Sequence, residues 1–382
     1  MTAWLVVALV LGAIFGLGPL VRYLKAPAIS EGFGIEDAVV ALRLDARDIS
    51  YLVLVNEAGE TRSVRLDERG FENSRLVWSS NGLSTGDPGH EYVLHEHGLT
   101  EIPLPGEHEG RSEWSRTATD TGFAVMMSSP QRPEIAFVDA ASGTLSRADT
   151  DYAVPALAGC DGQAVMVGPN GVETVTPETE DFAGLGLFDG VTALACDADR
   201  AYGLGEISDG SPSAQALRVW DRETGEMGEV ELRYPDSVGQ AYPETPFVRE
   251  GRLYWAADWR LWSVRLPDAA ERPVVGDDRP VAEVELAAEL SGFVDDYDPV
   301  VGIGEGVLAQ AGGRVYGVAA DEEFVNPSKG PSYDRLEGLA IFGIDTVTGE
   351  RRVEIEVDDI DFPKRDLHVH AIAVDPEWAA SR

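Results

Sequence analysis

One short unit recurs along this 382-residue chain and constrains its fold more than any other feature. A hydrophobic strand ends in Asp, and a turn containing Gly follows. The unit runs Val138-Asp139-Ala140-Ala141-Ser142-Gly143, Trp220-Asp221-Arg222-Glu223-Thr224-Gly225 and Ile344-Asp345-Thr346-Val347-Thr348-Gly349. Looser copies begin at Val55, Leu94 and Val167, and one at Leu266-Pro267-Asp268 lacks the Gly. The physics is that of a hairpin: Asp bonds the turn backbone and Gly takes the positive φ that closes it. A polar–apolar strand follows each copy, as in Glu226 to Leu232.

A second element precedes the first. Small residues lead into a tight turn and then an aromatic or aliphatic strand, as in Ala118 to Phe123, Ala158 to Gly162, Ala195 to Tyr202, Val248 to Tyr254 and Ala309 to Tyr316. Small residues suit a crowded innermost strand. Each full unit therefore reads as four strands, one blade of a β-propeller. The spacing predicts blades near 72–105, 113–150, 151–179, 183–233, 238–286 and 295–357. Three N-terminal strands lack an innermost partner, and His368 to Asp375 is an innermost-type strand with nothing after it. Joining them fills a composite blade and removes an exposed edge. The expected fold is all-β, a propeller over 37–376 closed by strand 368–375, with seven blades and with six or eight as alternatives. Residues 377–382 read as a tail.

Strand-Asp-x-x-Thr-Gly units preceded by Arg200-Ala201-Tyr202-Gly203 or Gly313-Arg314-Val315-Tyr316-Gly317 resemble the quinoprotein-like and WD-repeat-like propeller superfamily. The resemblance covers about residues 36–376 and implies a fold, not an activity. It extends to dehydrogenases that use pyrroloquinoline quinone, which implies a cofactor pocket with calcium and a vicinal cysteine pair. No Cys-Cys occurs here.

The first segment differs from the rest. Met1 to Val21 carries no charged side chain, with Trp4 at one end and Arg22, Tyr23 and Lys25 at the other. That is about the 20-residue span of a bilayer with interfacial anchors. Residues 1–25 are therefore expected to form a single transmembrane anchor, followed by a linker, 26–36. A cleaved signal ending near Ala26-Pro27-Ala28 is the rival, although Arg22 and Lys25 lie between the apolar run and that site. The same two charges argue for a cytoplasmic domain by the positive-inside rule. One large domain after an N-terminal anchor argues for export, and the extracytoplasmic reading is preferred.

Charge narrows the partners. The chain has 30 Lys and Arg against 67 Asp and Glu, a net charge of -37. Such a surface repels phosphate backbones, which excludes nucleic acid as a natural partner. No nucleophile elbow, Walker loop or zinc-protease motif appears. Two acidic loops, Asp295 to Pro299 and Asp358 to Pro363, precede innermost strands. Asp296, Asp298, Asp359 and Asp361 are the candidate ligand-binding residues there, because clustered carboxylates suit calcium. Cys160 and Cys196 fall at matching ends of adjacent innermost strands, so a disulfide between them is open. His95 with His97, and His368 with His370, look like pairs on one strand face. Trp220, Trp255, Trp259 and Trp262 are candidates for an aromatic pocket, with packing between blades as the alternative. The expected function is a non-enzymatic, membrane-anchored module that binds a protein, a peptide or a cell-envelope component and needs no cofactor. The alternative is a calcium-dependent hydrolase or lyase at the acidic loops.

Overall fold

The computed structural model describes residues 27–46, 49–66, 76–106, 111–128, 133–149, 157–168, 171–177, 191–206, 215–235, 243–257, 260–267, 279–290, 297–298, 308–321, 339–357 and 367–382. They form seven sheets, each a blade. Strand Leu367–Val374 pairs with Ala38–Ala46, which continues to Ile49–Asn56 and Thr61–Arg65, so the last strand of the chain is the innermost strand of blade 1. The innermost strands of blades 2 to 6 are Val77–Ser79, Ser112–Ala118, Leu157–Cys160, Val191–Cys196 and Glu244–Arg249. In blade 7, Tyr297–Asp298 and Ala309–Ala311 both pair with Arg314–Asp321, one at each end. Successive innermost strands touch in ring order, and Ala309–Ala311 returns to Leu367–Val374.

Apolar clusters between neighbouring blades hold the ring. Each of the seven joints has its own, and the cluster joining blades 7 and 1 is the most extensive. Burial of such side chains contributes roughly 1.5–3 kcal/mol each. Trp220, Trp255 and Trp262 are buried in these joints, so they are core rather than pocket, and Trp259 lies outside the described residues. Close packing explains the Gly that follows Tyr in the repeat. A Cβ at Gly203 would meet the Trp220 ring at 2.7 Å, and one at Gly317 would meet the Phe342 ring at 2.4 Å.

The turns behave as their composition requires. Asp221 Oδ1 accepts from the backbone N–H of Glu223 and Thr224 at 3.0 and 2.7 Å, and Asp345 Oδ1 from Val347 and Thr348, both at 2.9 Å. The closing glycines, Gly143, Gly225 and Gly349, have φ of 65–71°. Hydrogen bonds to the ionised form, led by the Ser142 hydroxyl at Asp139 and by the backbone N–H of Thr224 and Thr348 at Asp221 and Asp345, hold the three below the usual carboxylate pKa.

Three local expectations change. Val281–Glu283, expected in blade 6, runs parallel to Met227–Arg233 and extends blade 5; the outer strand of blade 6 is Glu285–Glu289. Residues expected as a linker are packed: Pro27 O accepts from Arg65 N at 2.7 Å, and Ile29, Phe33 and Ile35 pack against the joint of blades 1 and 2. Part of the expected tail is a short helix, Pro376–Ala380, capped by Asp375 and buried at Trp378 in the joint of blades 7 and 1. The expected anchor, 1–25, lies outside the described residues; among those described, no helix is long and apolar enough to cross a membrane.

Candidate functional site

All innermost strands run the same way along the axis, so the ring has a starting end and a finishing end. The Asp-containing turns and the capped helix lie at the finishing end. Ring closure leaves a groove there of about 970 Å³ between blades 1 and 2. Its walls are the turn after Asn56, the turn at Ser79-Ser80-Asn81, the turn after His95, the entry at Ile35 to Val39, and Asp375 to Glu377.

Its chemistry is uneven. Six carboxylates line it, from Glu36, Asp37, Glu57, Glu96, Asp375 and Glu377, and no Lys or Arg among the described residues does. Trp78, Ile35, Val39 and Pro376 supply an apolar component. Partial compensation comes from outside: Arg382 Nη2 reaches Glu57 at 3.2 Å, and Arg62 donates to Glu36 O. A second groove of about 820 Å³ between blades 5 and 6 lacks this character. There Arg200, Arg222, Arg252 and Arg265 balance Asp197, Asp199, Asp221, Glu223 and Glu250. The first groove can therefore hold a cation, and the second is largely self-neutralised.

Nearer the starting end, charge is buried instead. Arg116 of blade 3 reaches Glu91 of blade 2 at 2.6 and 3.0 Å and Glu113 at 2.9 and 3.0 Å, with all three side chains fully buried. Asp87, also buried, accepts from Tyr92 Oη at 2.7 Å, and Arg43 of blade 1 donates to Thr85 Oγ1 at 2.9 Å and to Gly86 O. Desolvation, reinforced by Glu113 and Asp87 against the opposing pull of Arg116, raises the Glu91 pKa to about 7.

The sequence-predicted site residues distribute as follows. Asp296, Asp359 and Asp361 lie outside the described residues, and of Asp298 only the backbone is described, paired with Ala320. Among the described residues no three His, Cys, Asp or Glu groups converge as metal ligands. Cys160 and Cys196 form a disulfide with Cα atoms 5.7 Å apart. Of the two expected histidine pairs, His95 ends a strand whereas His97 lies in the turn after it, so these two do not share a strand face, and the side chain of His368 lies outside the described residues. The groove was missed from sequence because its carboxylates come from separate turns of two blades and both ends of the propeller.

No protein-family model matches the sequence, and no curated protein does. Solved structures match the fold. A hypothetical selenium-binding protein from Sulfolobus tokodaii superposes with a TM-score of 0.52 at 12% identity, over 92% of this chain and 94% of that one. The β-propeller domain of Cps50 (Swd1) from Myceliophteria thermophila gives 0.42 at 12% identity, over 76% and 86%. AztD from Citrobacter koseri gives 0.41 at 12% identity, over 87% and 98%. At these identities the likeness is one of fold.

Proposed function

We propose that this propeller is a non-enzymatic binding module, held to a membrane by residues 1–25, exposed on the extracytoplasmic side, and engaging a basic segment of a partner protein in the groove between blades 1 and 2. The observation that carries the reading is the groove itself: six carboxylates with no Lys or Arg among the described lining residues, beside an apolar component. A Lys- or Arg-bearing segment with apolar side chains complements both, and charge complementarity supplies specificity and association rate. The Cys160–Cys196 disulfide suits an oxidising compartment. Only Ala26 separates the anchor from Pro27, which is bonded to the outer strand of blade 1, so the anchor would hold the rim of that blade close to the bilayer.

The test uses alkaline-washed membranes of cells producing the full chain with a photocrosslinking residue at Ala58, in the groove, or at Ser142, on blade 3. The chain should stay in the membrane. Ala58 should give an adduct that disappears when Glu57, Glu96 and Glu377 are changed to Gln, and Ser142 should give none. An Ala58 adduct indifferent to those changes would contradict the groove. Release into the wash with an N-terminus near Ala28 would contradict the anchor.

A further inference from the structure

Trp78 stands on the innermost strand of blade 2, Val77–Ser79, paired with Leu83 of the next strand. Its half-buried side chain packs against the apolar joint of blades 1 and 2 and also lines the groove there. The walls around it are pinned by hydrogen bonds. Ser79 Oγ accepts from Asn81 N at 3.1 Å, and Asn81 Nδ2 donates to Thr119 O and Asp120 O of blade 3 at 2.8 and 3.3 Å. Ile35 N and Glu36 N donate to His95 O and Glu96 O at 2.8 and 3.0 Å, and Asp375 N donates to Val39 O at 2.9 Å. Walls held in this way lose little freedom when a ligand binds.

The groove carboxylates are not equally engaged. Glu57 takes Arg382, and Asp375 Oδ1 caps the C-terminal helix by accepting from Glu377 N at 2.9 Å. The side chains of Asp37 and Glu377 have no ion pair among the described residues. The rim already shows how these components hold a guanidinium. Arg382 lies over the Trp378 ring at 5.0 Å while its Nη2 reaches Glu57 at 3.2 Å, so one side chain uses an indole face and a groove carboxylate together. Arg62, Arg260 and Arg351 likewise lie over Phe33, Trp262 and Phe342 at 5.4–5.7 Å. Trp78 stands in the groove with carboxylates of the same kind, and among the described residues no Arg lies over its ring.

We infer that Trp78 makes the groove selective for arginine: the guanidinium of one Arg in the partner's segment lies on its indole face and donates to Asp37 and Glu377. A guanidinium is planar and weakly hydrated, and it keeps its N–H donors free at the edge when its face is stacked. The ammonium of Lys is compact and strongly hydrated, so carboxylates satisfy it without the ring. The carboxylates therefore draw in any basic segment, and Trp78 adds the preference between the two basic side chains. The assignment rests on the groove's proposed role and adds the side chain that a partner must present.

The experiment follows the fluorescence anisotropy of a dye-labelled octapeptide of alternating Arg and Gly, and of its Lys and citrulline counterparts, on titration with the full chain in detergent. Wild type should bind the Arg peptide about fivefold more tightly than the Lys peptide, and both more tightly than the citrulline peptide. Trp78→Leu, which keeps apolar bulk in the joint, should bring Arg down to the level of Lys and leave Lys unchanged. Trp78→Phe should lower the Arg preference without abolishing it. Equal binding of Arg and Lys by wild type overturns the inference and leaves the groove's role intact. So does an Arg preference undiminished in Trp78→Leu or, should that variant not fold, in Trp78→Phe. Basic peptides that bind no more tightly than citrulline, or that ignore the change of Glu57, Glu96 and Glu377 to Gln, overturn the groove's role and the inference with it.

Discussion

Arg116 has two buried carboxylates to neutralise and one positive charge. A proton on Glu91 resolves the imbalance, with Asp87 adding to the negative field and Arg43 approaching through Thr85 and Gly86. The sign follows directly. The folded-state pKa of Glu91, about 7, lies above its ordinary value of 4.5. Its contribution to stability is fully present below about 4.5 and is lost as pH rises towards 7. Glu91→Gln is neutral at every pH. Its melting temperature relative to wild type should therefore climb between pH 4.5 and 7 and level off above; a difference that does not change with pH would contradict the protonated Glu91. None of this was legible in the sequence, because Glu113 and Arg116 come to one face only through a β-bulge at Trp114 in the pairing of Ser112–Ala118 with Gly122–Ser128.

At the scale of elements, what was legible was local. The Asp-to-Gly turns form from neighbouring residues, and their hydrogen bonds fall where the composition places them. Strand Val281–Glu283 was misplaced because parallel pairing with Met227–Arg233 is non-local. The helix Pro376–Ala380 is one turn with a capping Asp and a buried Trp, too short to show a helical period. The Cys160–Cys196 bridge staples blades 4 and 5 across a separation of 36 residues. A loop of that size corresponds to about 4 kcal/mol in the chain-entropy treatment, an upper figure for an otherwise folded ring. The double Cys→Ser variant should melt several degrees lower than oxidised wild type and match reduced wild type. Equal melting of oxidised wild type and variant would show that the bridge does not form.

For the whole molecule, the repeat revealed the ring and the leftover strands revealed its closure, because both follow from one four-strand pattern repeated along the chain with connections of varying length. The groove of six carboxylates was hidden, since it exists only once Ile35 to Val39 and Asp375 to Glu377 meet across the seam. On the other side of blade 1, its joint with blade 7 has the most extensive apolar cluster and receives Trp378, so closure carries much of the stability. Hydrogen exchange comparing the full chain with one ending at Asp366 tests closure most directly. Loss of strand Leu367–Val374 and the helix should strip amide protection from blade 1 and from strands Arg314–Asp321 and Leu339–Asp345 of blade 7 together, with weakening around the ring. Protection unchanged in blade 7, with loss confined to Ala38–Ala46, would contradict a ring closed by its last strand.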